Sequence, residues 1–219
     1  MSIVNLFPKQ QPNDELRLSE FGLSSSDFHT AFRPGLSRAL GRSELAPPNA
    51  PGSDLYNDTF ELLAQILVAR GWRKTVVNGQ PRLIHPDGKC QLALSSAQHV
   101  GDADRRVTPK TRRKGPATMD SLDAALPKSR IPLPLPEWVE HDAELPRTLK
   151  DAPFWFVLYE REGSFLSLSL GRPAGMDSSG RVVDWTELIA ITPLDGVGDL
   201  SVFGPDDDGD IDVPVEPRD

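Results

Sequence analysis

Between Arg105 and Lys114 the chain places six cations: Arg105, Arg106, Lys110, Arg112, Arg113 and Lys114. No acidic residue interrupts the stretch from Arg105 to Thr118. Lysine and arginine at this density neutralise phosphates and release their counterions, so binding weakens steeply with salt. Thr108, Thr111 and the N–H of Gly115 are donors of the kind that grip phosphate oxygens. No aromatic residue lies between Trp72 and Trp138, so the segment has no local platform on which bases could stack. The six cations are therefore expected to contact phosphates, not to read bases. The competing reading is a solvated loop, or one paired with the chain's own acids.

A metal-assisted phosphodiester hydrolase is the second chemistry to test. Such a site sets carboxylates and a lysine side by side, so that a metal activates water next to the phosphate. Glu61, Asp87 and Lys89 are the weak candidates, through the order helix Glu, then Pro86-Asp87-Gly88-Lys89. The following strand, Cys90 to Ser95, offers neither carboxylate nor lysine, and Asp87-Gly88-Lys89 reads more simply as a tight turn. No phosphate loop, His-Glu-x-x-His or Gly-x-Ser-x-Gly motif is present. Gly196-Val-Gly198 leads into an acidic stretch and not a helix, which leaves a dinucleotide site unsupported. His29, His85, His99 and His141 are scattered, and His85 reads as a hairpin residue. Cys90 is the single cysteine; it excludes an internal disulfide and a cysteine-rich zinc site, and its alternation with Leu92 and Leu94 marks it as a small buried hydrophobe. Asp206, Asp208 and Asp210 have calcium-loop spacing, but Ile211 stands where the loop needs glycine and Pro217 where it needs a bidentate glutamate. No cofactor and no metal is expected.

The formal charge of −8 is a misleading mean. All but one of the 24 basic residues and all but nine of the 32 acidic ones lie in residues 1–194, which are therefore neutral. The acidic excess sits in residues 195–219, where only Arg218 is basic. A basic segment and an acidic C-terminal tail invite pairing with each other or with separate charged partners. No apolar run approaches the roughly 18 residues of a membrane span, and the first residues lack the pattern of a secretory signal. The expected compartment is the cytosol.

These residues need elements to position them. Tyr56, Phe60, Leu63 and Leu67 form one stripe, widened by Leu62 and Ile66, and predict an amphipathic helix over 54–70 with Ser53 as N-cap and Gly71 as stop. Asn78-Gly79 predicts a two-residue hairpin pairing Val77 with Gln80 and Trp72 with His85. Pro81 lacks an N–H and marks an edge at that point. Cys90 to Ser95 predicts a third, half-buried strand. Phe154–Arg161 is apolar on both faces, as a central strand is. A loop at Glu162-Gly163 would pair it with Ser164–Leu170, setting Tyr159 against Leu166, Val157 against Leu168 and Trp155 against Leu170. Leu188 to Ile191 predicts a further strand. Phe28, Phe32, Leu36 and Leu40 are spaced by four, but Pro34 and Gly35 interrupt the stripe, so one or two helical turns or an irregular arm are both open. Met119 to Leu126 predicts two helical turns, and Ile131 to Pro136 must be extended.

The expected fold is α+β: antiparallel sheet, a long helix on a three-stranded unit and a second hairpin lobe, between a flexible N-terminal arm and an acidic tail. The expected organisation is an arm over 1–53, a helix-and-strand unit over 54–100, a basic and Pro-rich connector over 101–136, a strand lobe over 137–204 that could share the core of 54–100, and the tail over 205–219. The expected function is a non-enzymatic binding protein that contacts nucleic acid or a nucleoprotein through the basic segment, modulated by the tail. A protein-interaction module, such as an inhibitor or immunity protein, is the main alternative, and the nuclease the lesser one.

Overall fold

The computed structural model describes residues 12–102, 104, 106–123 and 152–196. Three helices open the chain: α1 (Pro12–Ser19), α2 (Ser25–Leu40) and α3 (Ala50–Val68). Strands β1 (Arg73–Val77), β2 (Gln80–Ile84) and β3 (Gln91–Gln98) follow, then the short β4 (Lys110–Thr111) and helix α4 (Pro116–Asp123). Strands β5 (Phe154–Glu162), β6 (Phe165–Met176) and β7 (Val182–Asp195) complete the described fold. The strands form one seven-stranded sheet in the order β1-β2-β3-β5-β6-β7, with β4 also paired to β3. All pairings are antiparallel except β3 with β5, which run parallel from Gln91↔Phe154 to Ser96↔Tyr159. That one parallel ladder joins the strands expected in two lobes into a single sheet.

The fold is α+β, as the sequence implies, but the N-terminal region departs from a flexible arm. Residues 12–40 hold two helices joined by a turn, and Phe28, Phe32 and Leu36 of α2 are fully buried. Pro34 lies inside α2 and does not end it. Gly35 suits this place: a Cβ on it would stand 3.1 Å from the Leu55 Cα of α3, so any other residue would push the two helices apart by a few tenths of an ångström. Ser24 caps α2 with a reciprocal capping box to Asp27. Burial alone would push the Asp27 carboxyl up, but hydrogen bonds from Arg70 and Ser24 outweigh it and hold Asp27 below the usual carboxylate range.

Helix α3 starts at Ala50, earlier than a Ser53 cap implies, with Pro51 in its first turn, where no N–H is required. The Asn78-Gly79 turn has both residues at positive φ, 48° and 80°, and pairs Val77 with Gln80 as the turn chemistry requires. The ladder ends at Arg73↔Ile84, and beyond it the Trp72 and His85 rings meet edge-on at 4.9 Å. Pro81 sits past the reach of β3, which pairs β2 only at Leu83 and Ile84, so its missing N–H breaks no ladder there. The β5–β6 hairpin differs from the expected register. Glu162 pairs with Phe165, leaving Gly163-Ser164 as the loop, with Gly163 at φ +61°. Tyr159 therefore faces Leu168, and Val157 faces Leu170. The slip is two residues, so every side chain keeps its expected face.

Both faces of the sheet are covered. Leu92, Leu94, Trp155, Val157, Leu168, Leu170, Ile189 and Ile191 point to the face under α2 and α3, and share one large apolar core with them. Ala93, Ala97, Phe154, Phe156, Leu158 and Val182 form a smaller cluster on the opposite face. Irregularities between Leu166 and Leu168 and again from Arg172 to Met176 bend the β6–β7 ribbon over that second cluster. Gly171 lets it close: a Cβ there would lie 2.7 Å from the Trp185 ring. No helix among the described residues is long and apolar enough to cross a membrane. The expected extended run at 131–136, the start of the second lobe at 137, His141 and the tail at 205–219 lie outside the described residues.

Candidate functional site

The basic segment is stitched into the fold. Trp185 Nε1 donates to Pro109 O at 2.8 Å, Val182 N donates to Thr111 Oγ1 at 3.0 Å, and Lys114 N donates to Gly180 O at 2.8 Å. Ala97 and Gln98 of β3 pair with Thr111 and Lys110. These contacts fix the backbone and send successive side chains to different places.

Arg112 and Arg113 are exposed and, with Lys110, line a cleft of about 940 Å³. The opposite wall is the first two turns of α3 with the residues before them, between Pro48 and Asn57. Glu160 and Arg161 enter from the end of β5, and Arg181 from the turn before β7. Five cations thus share the cleft with one carboxylate, and Glu160 is already engaged, its Oε2 accepting from Val100 N at 2.9 Å. Lys110 Nζ lies 3.7 Å from Asp177 Oδ2. Among the described residues, Arg112, Arg113, Arg161 and Arg181 have no ion-pair partner, and Arg181 Nε is buried without an acceptor. The first turn of α3 carries no acidic residue and its cap makes no side-chain hydrogen bond, so the positive end of the helix adds to the same field.

Tyr56 and Tyr159 line the floor. Burial pushes the Tyr159 hydroxyl up to about 12, and the neighbouring Tyr56 adds to the rise while Arg112 opposes it. Both phenols stay protonated at neutral pH, as hydrogen-bond donors. The sequence offered no aromatic residue near the basic segment; the fold supplies two from α3 and β5.

The other expected phosphate contacts divide. Arg106 is turned to Asp104, with Nε 3.1 Å from Oδ1. Arg105 lies outside the described residues. Lys114 is a correction: its ammonium is drawn inside, donating to Ser95 Oγ and lying 5.1 Å from the centre of the Phe156 ring. Burial, with a smaller contribution from Arg112, lowers its pKa to about 8. Ser95 with a low-pKa lysine has the chemistry of an activated hydroxyl. However, Ser95 is 3 % exposed and its hydroxyl donates to Ser96 O, and neither residue lines the cleft. The pair belongs to the second core.

The nuclease candidates occupy separate surroundings. Glu61 accepts from Gln65 Nε2 one helical turn on, at 3.4 Å. The Asp87 side chain is 73 % exposed in its turn, and Lys89 Nζ donates to Glu20 O at 3.1 Å. None lines the basic cleft. Among the described residues, no three His, Cys, Asp or Glu side chains are placed to hold a metal ion. His85 Nδ1 accepts from Asp87 N at 3.0 Å, and burial lowers its pKa, with Asp87 opposing; it is a neutral structural imidazole. Burial raises the Cys90 thiol to about 12, so it is no nucleophile.

Of the six cations singled out by their density in the sequence, Lys110, Arg112 and Arg113 line the cleft. The sequence did not single out Arg161 and Arg181, which line it too, because each is a lone cation in its own neighbourhood. The faint signal for both is position: Arg161 ends an apolar strand, and Arg181 follows an Asp-Ser-Ser-Gly turn, so both stand where a strand meets solvent. Comparison with protein-family models, curated proteins and solved structures finds no match for this chain.

Proposed function

We propose that the protein is a binding protein that takes a short stretch of single-stranded nucleic acid into the basic cleft, through its phosphates. The observation that carries this reading is the convergence of Lys110, Arg112, Arg113, Arg161 and Arg181 from three distant parts of the chain on one cleft with a single, engaged carboxylate. A cleft of about 940 Å³ is the size of a small-molecule site, at roughly 300–1,000 Å³. It suits a few nucleotides of one strand better than the breadth of a duplex. Tyr56, Asn57 and Gln98 supply polar groups beside the cations, suited to sugar and base edges as well as phosphate.

The test is anisotropy of a labelled oligothymidylate across a salt series. Five cations neutralising five phosphates give a log–log slope of about −3.5 for a single strand. The variant R112Q/R113Q/R161Q changes only exposed side chains. It should bind at least tenfold more weakly at low salt and lose about 2 from the slope's magnitude. Equal affinity and slope in the variant overturn the reading, as does absence of binding by the native chain at low salt together with absence of binding by its tail-neutralised form described below.

A further inference from the structure

The described chain ends at Gly196, against the β5–β6 turn and helix α2. Gly196 N donates to Ser164 O at 3.0 Å, which places it at the turn of the β5–β6 hairpin, whose strand β5 delivers Arg161. A Cβ on Gly196 would lie 3.0 Å from Leu40 Cδ1 and 3.1 Å from Leu36 Cδ2 of α2. On its other side, α2 meets Leu55 of α3 through Gly35, and Leu55 lines the cleft. One helix therefore separates the exit of the chain from the cleft wall. From Gly196 to Asp206 is ten residues, a reach of up to about 33–36 Å when extended, against a helix breadth of about 10–12 Å. What the chain then delivers is Asp206, Asp207, Asp208, Asp210 and Asp212, five carboxylates within seven residues.

We infer that the segment Asp206–Asp212 is the cleft's own occupant and competes with nucleic acid for Arg112, Arg113, Arg161 and Arg181. This rests on the cleft being a polyanion site and names its regulation. The charges complement each other: four guanidiniums without an ion-pair partner among the described residues face a tethered run of five aspartates within seven residues. Tethering makes the competition effective, because a linker of this length holds the segment at a local concentration on the order of millimolar. Carboxylates pair with guanidinium groups in the same forked geometry as phosphates, so occupancy by one excludes the other. Salt screens both contacts, and a long nucleic acid with more charges displaces the segment.

The experiment uses the full chain, a variant with Asp206, Asp207, Asp208, Asp210 and Asp212 changed to Asn, and a labelled peptide of residues 199–216. The peptide should bind the Asn variant, bind native chain at least tenfold more weakly because the site is filled, and lose its binding when R112Q/R113Q/R161Q is added to the Asn variant. Oligothymidylate should bind the Asn variant about tenfold more tightly than the native chain at low salt, with the gap closing at high salt. Peptide binding that persists after the three arginines are changed, or no binding to the Asn variant, overturns the inference. Its failure is distinct from that of the nucleic-acid reading. Peptide without oligonucleotide binding leaves the occupant and removes nucleic acid; equal oligonucleotide binding by native and Asn chains, with no peptide binding, does the reverse.

Discussion

The two faces of the sheet are closed by different means. Under α2 and α3 the packing is dominated by one large apolar cluster, from Leu18 and Phe28 to Trp155 and Leu194. Under the bent β6–β7 ribbon the apolar cluster is small, and charged side chains fill what it leaves. Arg82, 2 % exposed, donates to Gln91 Oε1 at 2.8 Å and to Ser121 Oγ at 2.7 Å, and its guanidinium lies 4.4 Å from the centre of the Phe154 ring. Lys114 takes the same arrangement on Phe156. The first face stabilises by removing apolar area from water. The second gives up some of that stability to hold the 109–114 segment at a fixed place, and the cleft is built on its rim.

Breaking the first face should have the largest effect. Phe28→Ala deletes a fully buried ring and should cost about 3–5 kcal/mol, read as a fall in the urea midpoint. A loss under about 1 kcal/mol would mean that α2 is a detachable arm after all.

The second face should respond in the opposite sense at Lys114. The folded chain lowers the ammonium from the ordinary 10.5 to about 8, so below pH 8 both states carry the charge and only the folded one bears its burial. Between about pH 8 and 10.5 the unfolded chain binds the extra proton, and stability rises with pH. Lys114→Met should therefore stabilise at pH 7, by at most about 3.5 kcal/mol at about 1.4 kcal/mol per pKa unit, and should abolish that rise. The comparison must be native against variant, because Cys90 and Tyr159, both raised to about 12, lower stability over the alkaline range in each. A destabilised variant would show that the Ser95 contact outweighs the burial of the charge.

Arg82 should show the smallest and most conditional effect. Arg82→Ala leaves Gln91 Oε1 and Ser121 short of a donor and should cost about 2 kcal/mol. Arg82→Met, which keeps the stem over Phe154, should cost less. Equal losses in thermal unfolding would place the stabilisation in the hydrogen bonds alone.

Local chemistry was readable wherever a short stretch decides the outcome. Asn78-Gly79 carries its turn and register in two residues, and the apolar run from Phe154 to Leu158 announces a strand covered on both sides. Where two distant pieces must fit, the reading stopped. Pro34-Gly35 looks like an interruption until Leu55 is known to press on Gly35. The β5–β6 register slipped by two residues because Glu162-Gly163 and Gly163-Ser164 are comparable turn pairs, and parity alone kept the faces correct. The cations of 105–114 were visible as charge, but an extended backbone pinned by Trp185, Val182 and Gly180 sends Lys114 inward and its neighbours outward. Arg161 and Arg181 join them only in three dimensions.

The lone parallel ladder has a kinetic consequence. Each half of the sheet is built from neighbours in sequence, β1 to β3 on one side and β5 to β7 on the other, and such contacts close quickly. Leu92 and Trp155, paired across the ladder, must instead find each other across more than sixty residues. Loop closure of that span is slow but grows only logarithmically in cost, by about 0.6 kcal/mol for each doubling. The seam between β3 and β5 should thus set the pace of folding while tolerating wide variation in the length of the chain that bridges it.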